Sequence, residues 1–161
     1  PAGQKPNMGG WRSLGNLIED KRFIKVLENV DKGFQTVYER NNYIDEIKIS
    51  VESMWVNVNR PKDYNKSHIH PEIHWAFVYY IKVQEKSGDL VFEDPRIRRT
   101  MQTQAIFKKD YYSLASAAVI SLTPQVGDLI IFPSYLVHRV LPMTRGTRYA
   151  IVGWVHGNSF L

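Results

Sequence analysis

Ser67-His68-Ile69-His70-Pro71-Glu72-Ile73-His74 places three imidazoles and a carboxylate at every second position, directly ahead of the apolar run Trp75-Ala76-Phe77-Val78-Tyr79-Tyr80-Ile81. An extended chain sends alternate side chains to opposite faces, so a strand through this stretch carries all four polar groups on one face. Neutral imidazole and carboxylate are the natural ligands of a borderline divalent metal such as iron, and about three protein ligands leave open positions for chemistry. Such a set needs a second, distant contribution. His138 is the candidate, in Gly127-Asp128-Leu129-Ile130-Ile131-Phe132-Pro133-Ser134-Tyr135-Leu136-Val137-His138, where strand, turn and second strand return it to the first group. Four of the chain's five histidines lie in these two places. A lone histidine more often caps a strand or satisfies a core hydrogen bond; a close set of them is a metal signal that structural context must confirm.

Working outward, the chain has 161 residues, 43% of them hydrophobic and 23% charged. That balance is ordinary for a globular protein and unlike a disordered or fibrous one. Residues 1–161 are expected to form a single domain, with a loose lead-in over 1–20, a helix over 21–40 and a β core over 44–157. No run of about 20 apolar residues is present to cross a bilayer. The N-terminus lacks a basic-then-apolar signal pattern, and a cytoplasmic location is expected. Because the chain has no cysteine, disulfides and thiolate chemistry are excluded, and any metal is held by nitrogen and oxygen. The formal charge of +5 favours an anionic substrate or surface. Solvated lysines produce the same number, so nucleic acid is not expected as a partner.

Pro1 to Gly10 is rich in proline and glycine and reads as the lead-in. From Lys21 the apolar residues Phe23, Leu27, Val30, Phe34, Val37 and Tyr38 recur at steps of three and four, the stripe of an amphipathic helix. Asn41-Asn42 ends it. Ile44 to Val51 and Ser53 to Asn59 alternate as two half-buried strands, the second with Asn57 and Asn59 on the face of Trp55. These asparagines either line a polar cavity or point to solvent. After a loop over 60–66 and the histidines, strands are predicted over Trp75–Val83 and Leu90–Glu93, the latter broken by Asp94-Pro95. Arg96 to Lys109 is basic and without period, a candidate lid or a solvated basic face. Short strands over Ala117–Leu122, Asp128–Phe132, Val137–Leu141 and Arg148–Val155 complete the chain. One helix followed by many short, evenly spaced strands predicts an antiparallel sandwich or barrel of jelly-roll type with the helix packed outside the sheet.

Taken together, these residues resemble the double-stranded β-helix dioxygenases that use Fe(II) and 2-oxoglutarate. The resemblance spans roughly Trp55 to Val155 and is strongest to the prolyl-hydroxylase-like branch, through Gly127 to Ser134, His138, Pro142, Thr144-Arg145-Gly146 and Arg148. The segment from Asn57 to Arg96 also looks like a small phage and bacterial group of 2-oxoglutarate oxygenases without assigned substrates. In that fold a His-x-Asp/Glu pair and a later histidine hold the metal. A basic residue about ten positions beyond that histidine holds the far carboxylate of the cosubstrate, and Arg148 stands ten after His138. Arginine suits the task because its planar fork of donors matches a carboxylate.

The resemblance implies Fe(II) as cofactor, 2-oxoglutarate and O2 as partners, and a protein or peptide side chain, prolyl first, as substrate. It places Tyr80 beside Arg148 on the cosubstrate, with Asn57 and Trp154 as further contacts. Arg148, Ala150, Val152 and Trp154 share one face of the last strand, where the small residues leave room for a ligand. The chain departs from the family at the pair itself. His68, His70 and His138 make an all-histidine site, favoured by the spacing from Tyr64 and by His-x-His-Pro; Glu72 in place of His68 restores the usual carboxylate. His74 is then expected near the ligands or bonded at the strand edge. Two rival readings are a three-histidine, cupin-like metalloenzyme without 2-oxoglutarate, and a non-catalytic jelly-roll binding module.

Overall fold

Strand β10, Arg148–Asn158, is the centre of the architecture: it pairs antiparallel with β3, Lys48–Asn59, on one side and with β5, Trp75–Lys82, on the other. The computed structural model describes residues 6–41, 48–96 and 119–158. Among them two five-stranded antiparallel sheets form. The first adds β2, Trp11–Arg12, outside β3 and β8, Leu129–Pro133, outside β5. The second runs in the order β1, Asn7–Met8; β4, Tyr64–His68; β9, His138–Val140; β6, Leu90–Glu93; and β7, Val119–Leu122. This is the jelly-roll predicted from strand spacing.

The helical stripe forms α1, Ile24–Asn41, preceded by a 3-10 turn over Lys21–Phe23 whose cap is Asp20, its carboxylate accepting from Arg22 N at 3.0 Å. The helix lies on the outer face of the first sheet. Val30 and Phe34 are buried there against Met54, Phe77, Ile151 and Val155. The rings of Phe34 and Phe77 meet edge to face at 6.4 Å, and burying one such side chain contributes about 1.5–3 kcal/mol. Gly33 permits the close approach, since a Cβ there would stand 2.7 Å from Leu129 Cδ2. A second apolar cluster, Ala76, Leu90, Phe92 and Phe132, fills the space between the sheets.

Three expectations are corrected. The two strands expected over 44–59 are one strand from Lys48, residues 44–47 lying outside the described residues. Ser53 pairs with Trp154 but Val51 with Val155, so Glu52 is a bulge that shifts the alternation. The loop expected over 60–66 contains the start of β4, a polar strand with no hydrophobic alternation, held by β1 and β9. The lead-in is not loose from Asn7 onward. Gly9 and Gly10 (φ +72° and +66°) reverse the chain in a conformation that costs glycine little. β1 thereby joins the second sheet and β2 the first.

Candidate active site

Strand register brings the two histidine segments together. His68, at the end of β4, sits directly opposite His138, at the start of β9. Their ring centroids are 4.2 Å apart, and those of His70 lie 4.8 Å from His68 and 5.0 Å from His138. One ligand atom from each falls within 4.8 Å of the others. His70 is two residues beyond the strand, and Ser134 pins it there. His70 N donates to Ser134 O at 3.0 Å, Ser134 N donates to His74 O at 3.0 Å, and Ser134 Oγ donates to Ile73 O.

The extended run expected over 67–74 holds for His68 and His70 and then breaks. Pro71 is followed by Glu72 at φ +67°, which turns the chain and leaves Glu72 exposed, apart from the three-histidine group. The carboxylate alternative therefore has no geometric support. The same turn carries the His74 ring to 4.9 Å from that of His156, away from the cluster.

The histidines are prepared as neutral ligands. The Nδ1 atoms of His68 and His138 lie 2.7 Å from Lys66 O and 2.9 Å from Leu136 O. A carbonyl can only accept, so both Nδ1 atoms carry the proton and each Nε2 keeps a free lone pair. Burial holds the pKa of His70 down to about 3, with the neighbouring His138 and His68 acting in the same direction. Burial likewise holds His138 down to about 4 and lowers His68. Three deprotonated imidazole nitrogens facing one point are what a divalent metal requires.

A cavity of about 580 Å³ opens between the sheets at this cluster, and its wall includes Trp55, Asn57, Asn59, Tyr80, Arg148 and Trp154. That volume falls in the range of about 300–1,000 Å³ usual for small-molecule sites. Arg148 is only 3% exposed. Its Nη1 donates to Ser87 O at 2.7 Å and Gly88 O at 3.3 Å, and its Nη2 to Asn59 Oδ1 at 3.1 Å. Among the described residues no carboxylate lies within ion-pairing distance of it. Asp63 acts on it from beyond that distance, and a buried guanidinium without a direct partner is costly and calls for an anion. Tyr80, 1% exposed, is opposite Ala150 in register. Its phenol is pushed up to about 12 by burial, against the pull of Arg148, so it stays protonated and able to donate. Asn57 Oδ1 and Trp154 Nε1 are buried without a partner. These groups fit a metal ion at the histidines and a small dianion reaching toward Arg148.

Two facing antiparallel sheets, with converging histidines on the second and a buried arginine on the central strand of the first, define a double-stranded β-helix protein with a candidate metal site. The family model described as "Putative 2OG-Fe(II) oxygenase" matches residues 53–152, and the chain belongs to that family. Fe(II) and 2-oxoglutarate are accordingly its cofactor and cosubstrate. A PKHD-type hydroxylase of Idiomarina loihiensis is 52% identical over 29 residues, and one of Delftia acidovorans 57% over 30. These matches cover 18% and 19% of this chain and only 13% of each relative.

Solved structures share the fold at low identity. A Pseudomonas putida prolyl-4-hydroxylase aligns at TM-score 0.59 and 16% identity, over 94% of this chain and 73% of that one. A viral collagen prolyl hydroxylase from Paramecium Bursaria Chlorella virus-1, in complex with 2OG, aligns at 0.60 and 16%, over 93% and 80%. A Trichoplax adhaerens prolyl hydroxylase, in complex with a hypoxia inducible factor peptide fragment, also aligns at 0.60 and 16%, over 95% and 65%.

Some parts of the site leave no mark in the sequence. The carbonyls of Ser87 and Gly88 that hold Arg148 are backbone groups, visible only once the turn is built. Arg12, expected in the lead-in, lies at the cavity with its Cζ 3.9 Å above the Trp55 ring. Of the basic segment after Asp94, Arg96 is ion-paired to Asp94 at 2.6 Å, while Arg98, Arg99 and the candidate lid to Lys109 lie outside the described residues. Among the described residues no helix is long and apolar enough to cross a membrane.

Proposed function

We propose that this chain is a hydroxylase acting on a protein or peptide side chain, with prolyl as the first residue to test. The observation that carries it is the buried Arg148, without a direct ion-pair partner among the described residues, on the wall of the cavity that the three histidines close. The PKHD-type names of the short matches and the prolyl-hydroxylase fold support the choice of substrate class.

In this reading His68, His70 and His138 hold Fe(II), His68 and His138 through Nε2 because each Nδ1 donates to a backbone carbonyl. The chemistry supplied when metal and cosubstrate are bound is oxidative decarboxylation of 2-oxoglutarate to succinate, coupled to oxygen insertion into a substrate C–H bond. Arg148 binds the far carboxylate through its planar fork, and Tyr80 adds an O–H donor; both are most effective where water is excluded. Phe132 and Phe92, with ring centroids 4.7 Å and 6.0 Å from that of His138, keep that end dry. Trp154 stands 5.8 Å from His70, and its unpartnered Nε1 is a donor for the cosubstrate. A cupin-like metalloenzyme without 2-oxoglutarate leaves Arg148 with no task, and a binding module leaves the histidines with none.

The test is a binding series without oxygen. Metal-stripped protein should take up Fe(II) and then show a further thermal shift on adding 2-oxoglutarate. His68→Ala and His138→Ala should lose the metal, while Glu72→Ala keeps it. Under oxygen, succinate should form together with a hydroxylated prolyl peptide. Metal-loaded protein with no response to 2-oxoglutarate refutes the oxygenase, and metal loss in Glu72→Ala alone refutes the ligand set.

A further inference from the structure

We infer that the substrate is anionic and that Arg12 reads a carboxylate on it a few residues from the carbon to be hydroxylated. This rests on the hydroxylase reading above and names the chemistry of its substrate. Arg12 stands where β2 joins β3, opposite Asn57 in register, at the exposed edge of the cavity. Its Cζ lies over the Trp55 ring, 3.9 Å from the centroid. Such a contact places the cation on the ring and leaves N–H donors for a carboxylate. Among the described residues none forms an ion pair with Arg12.

The position is tied to the metal end by a chain of rings. Trp55 meets Trp154 edge to face at 4.9 Å, and Trp154 meets His70 at 5.8 Å. By this path Arg12 Cζ lies at most about 15 Å from the His70 ring, a span of about four or five extended residues. Charge points the same way. Among the described residues no aspartate or glutamate lines the cavity, and the three-histidine set brings no carboxylate of its own. With a ferrous ion and two guanidinium groups, a dianionic cosubstrate leaves two positive charges among the lining groups, which Asp63, acting on Arg148 from outside the lining, offsets only in part. In a partly desolvated cavity that imbalance favours an anionic substrate over a neutral one. An acidic side chain near the target residue of a peptide supplies it; a free carboxylic acid has the same chemistry.

The experiment uses protein loaded with Fe(II) and 2-oxoglutarate without oxygen, so that binding is read and not turnover. The probes are end-blocked Gly-Glu-Pro-Glu-Gly, its glutamine counterpart Gly-Gln-Pro-Gln-Gly, and N-acetylglutamate, followed by calorimetry at low and high salt. Wild type should bind the acidic peptide about tenfold more tightly than the neutral one, a preference that shrinks with salt. Arg12→Gln should abolish the preference and retain the thermal shift caused by 2-oxoglutarate, which also verifies its fold. Arg12→Lys, which keeps the charge and loses the planar fork, should keep a smaller preference. Equal binding of both peptides to wild type, or an undiminished preference in Arg12→Gln, overturns the inference. N-acetylglutamate binding as tightly as the acidic peptide overturns the peptide source and assigns the carboxylate to a free acid. Failure of the hydroxylase reading is separate: wild type would then show no 2-oxoglutarate shift, whatever the peptides do.

Discussion

Replacing Arg148 by methionine separates a ligand clamp from a structural ion pair. Without ligand, Arg148 makes three hydrogen bonds to uncharged acceptors, Ser87 O, Gly88 O and Asn59 Oδ1. It also buries a charge with no carboxylate against it, and the desolvation of that charge offsets most of what the bonds contribute. The metal-loaded protein without cosubstrate should therefore lose no more than about 2 kcal/mol in Arg148→Met, a fall of roughly 4–8 °C for a domain of this size. With ligand the balance changes. At about 100 times its dissociation constant, 2-oxoglutarate stabilises wild type by roughly 2.7 kcal/mol. Truncating one partner of a buried charge pair costs about 2–5 kcal/mol, so affinity should fall at least ~30-fold. At the same concentration the stabilisation then drops below about 1 kcal/mol. Thermal shift with and without 2-oxoglutarate reads both quantities in one series. A full shift in Arg148→Met would refute the clamp, and collapse of the unliganded protein with loss of metal would make Arg148 structural.

Two further outcomes follow from the same geometry. Gly88→Ala should destabilise the protein and weaken 2-oxoglutarate binding together, because φ is +81° and the added Cβ would stand 2.1 Å from Leu141 O. The left-handed conformation alone costs a non-glycine residue about 1–2 kcal/mol, and the shift it forces moves a carbonyl that holds Arg148; unchanged melting and affinity would contradict this placement. Metal-free protein should lose stability as pH falls from about 6.5 toward 4, as checked by melting temperature. The folded cluster holds His70 and His138 at about 3 and about 4, below the unfolded value of about 6.5, so in that window the unfolded chain binds more protons. His70→Asn should flatten the slope, and an equal slope in that variant would place the titration elsewhere.

The site was legible in the sequence where the pleat of a strand does the work. His68 and His70, and Arg148 with Ala150, Val152 and Trp154, share faces because a strand repeats every two residues, and the register of β4 with β9 does the rest. Glu72 was not readable, since the chain turns at a positive φ after Pro71, and no pattern of residue types signals that sign. The bulge at Glu52 hid the continuity of β3 for a related reason: one extra residue inverts the apparent alternation. β4 escaped because its pairing partners, not its own polar residues, make it a strand. The contact of Arg12 with Trp55 joins positions far apart along the chain and has no local signature.

The short strands β1 and β2, bridged by Gly9-Gly10, work as a buckle across the mouth of the cavity: β1 closes on β4 and β2 on β3. Pro6 O accepts from Lys66 N, two residues ahead of His68, and Asn7 Oδ1 accepts from Asn59, whose own Oδ1 holds Arg148. A change made within residues 6–12 is therefore felt at the histidine end and at the arginine end together.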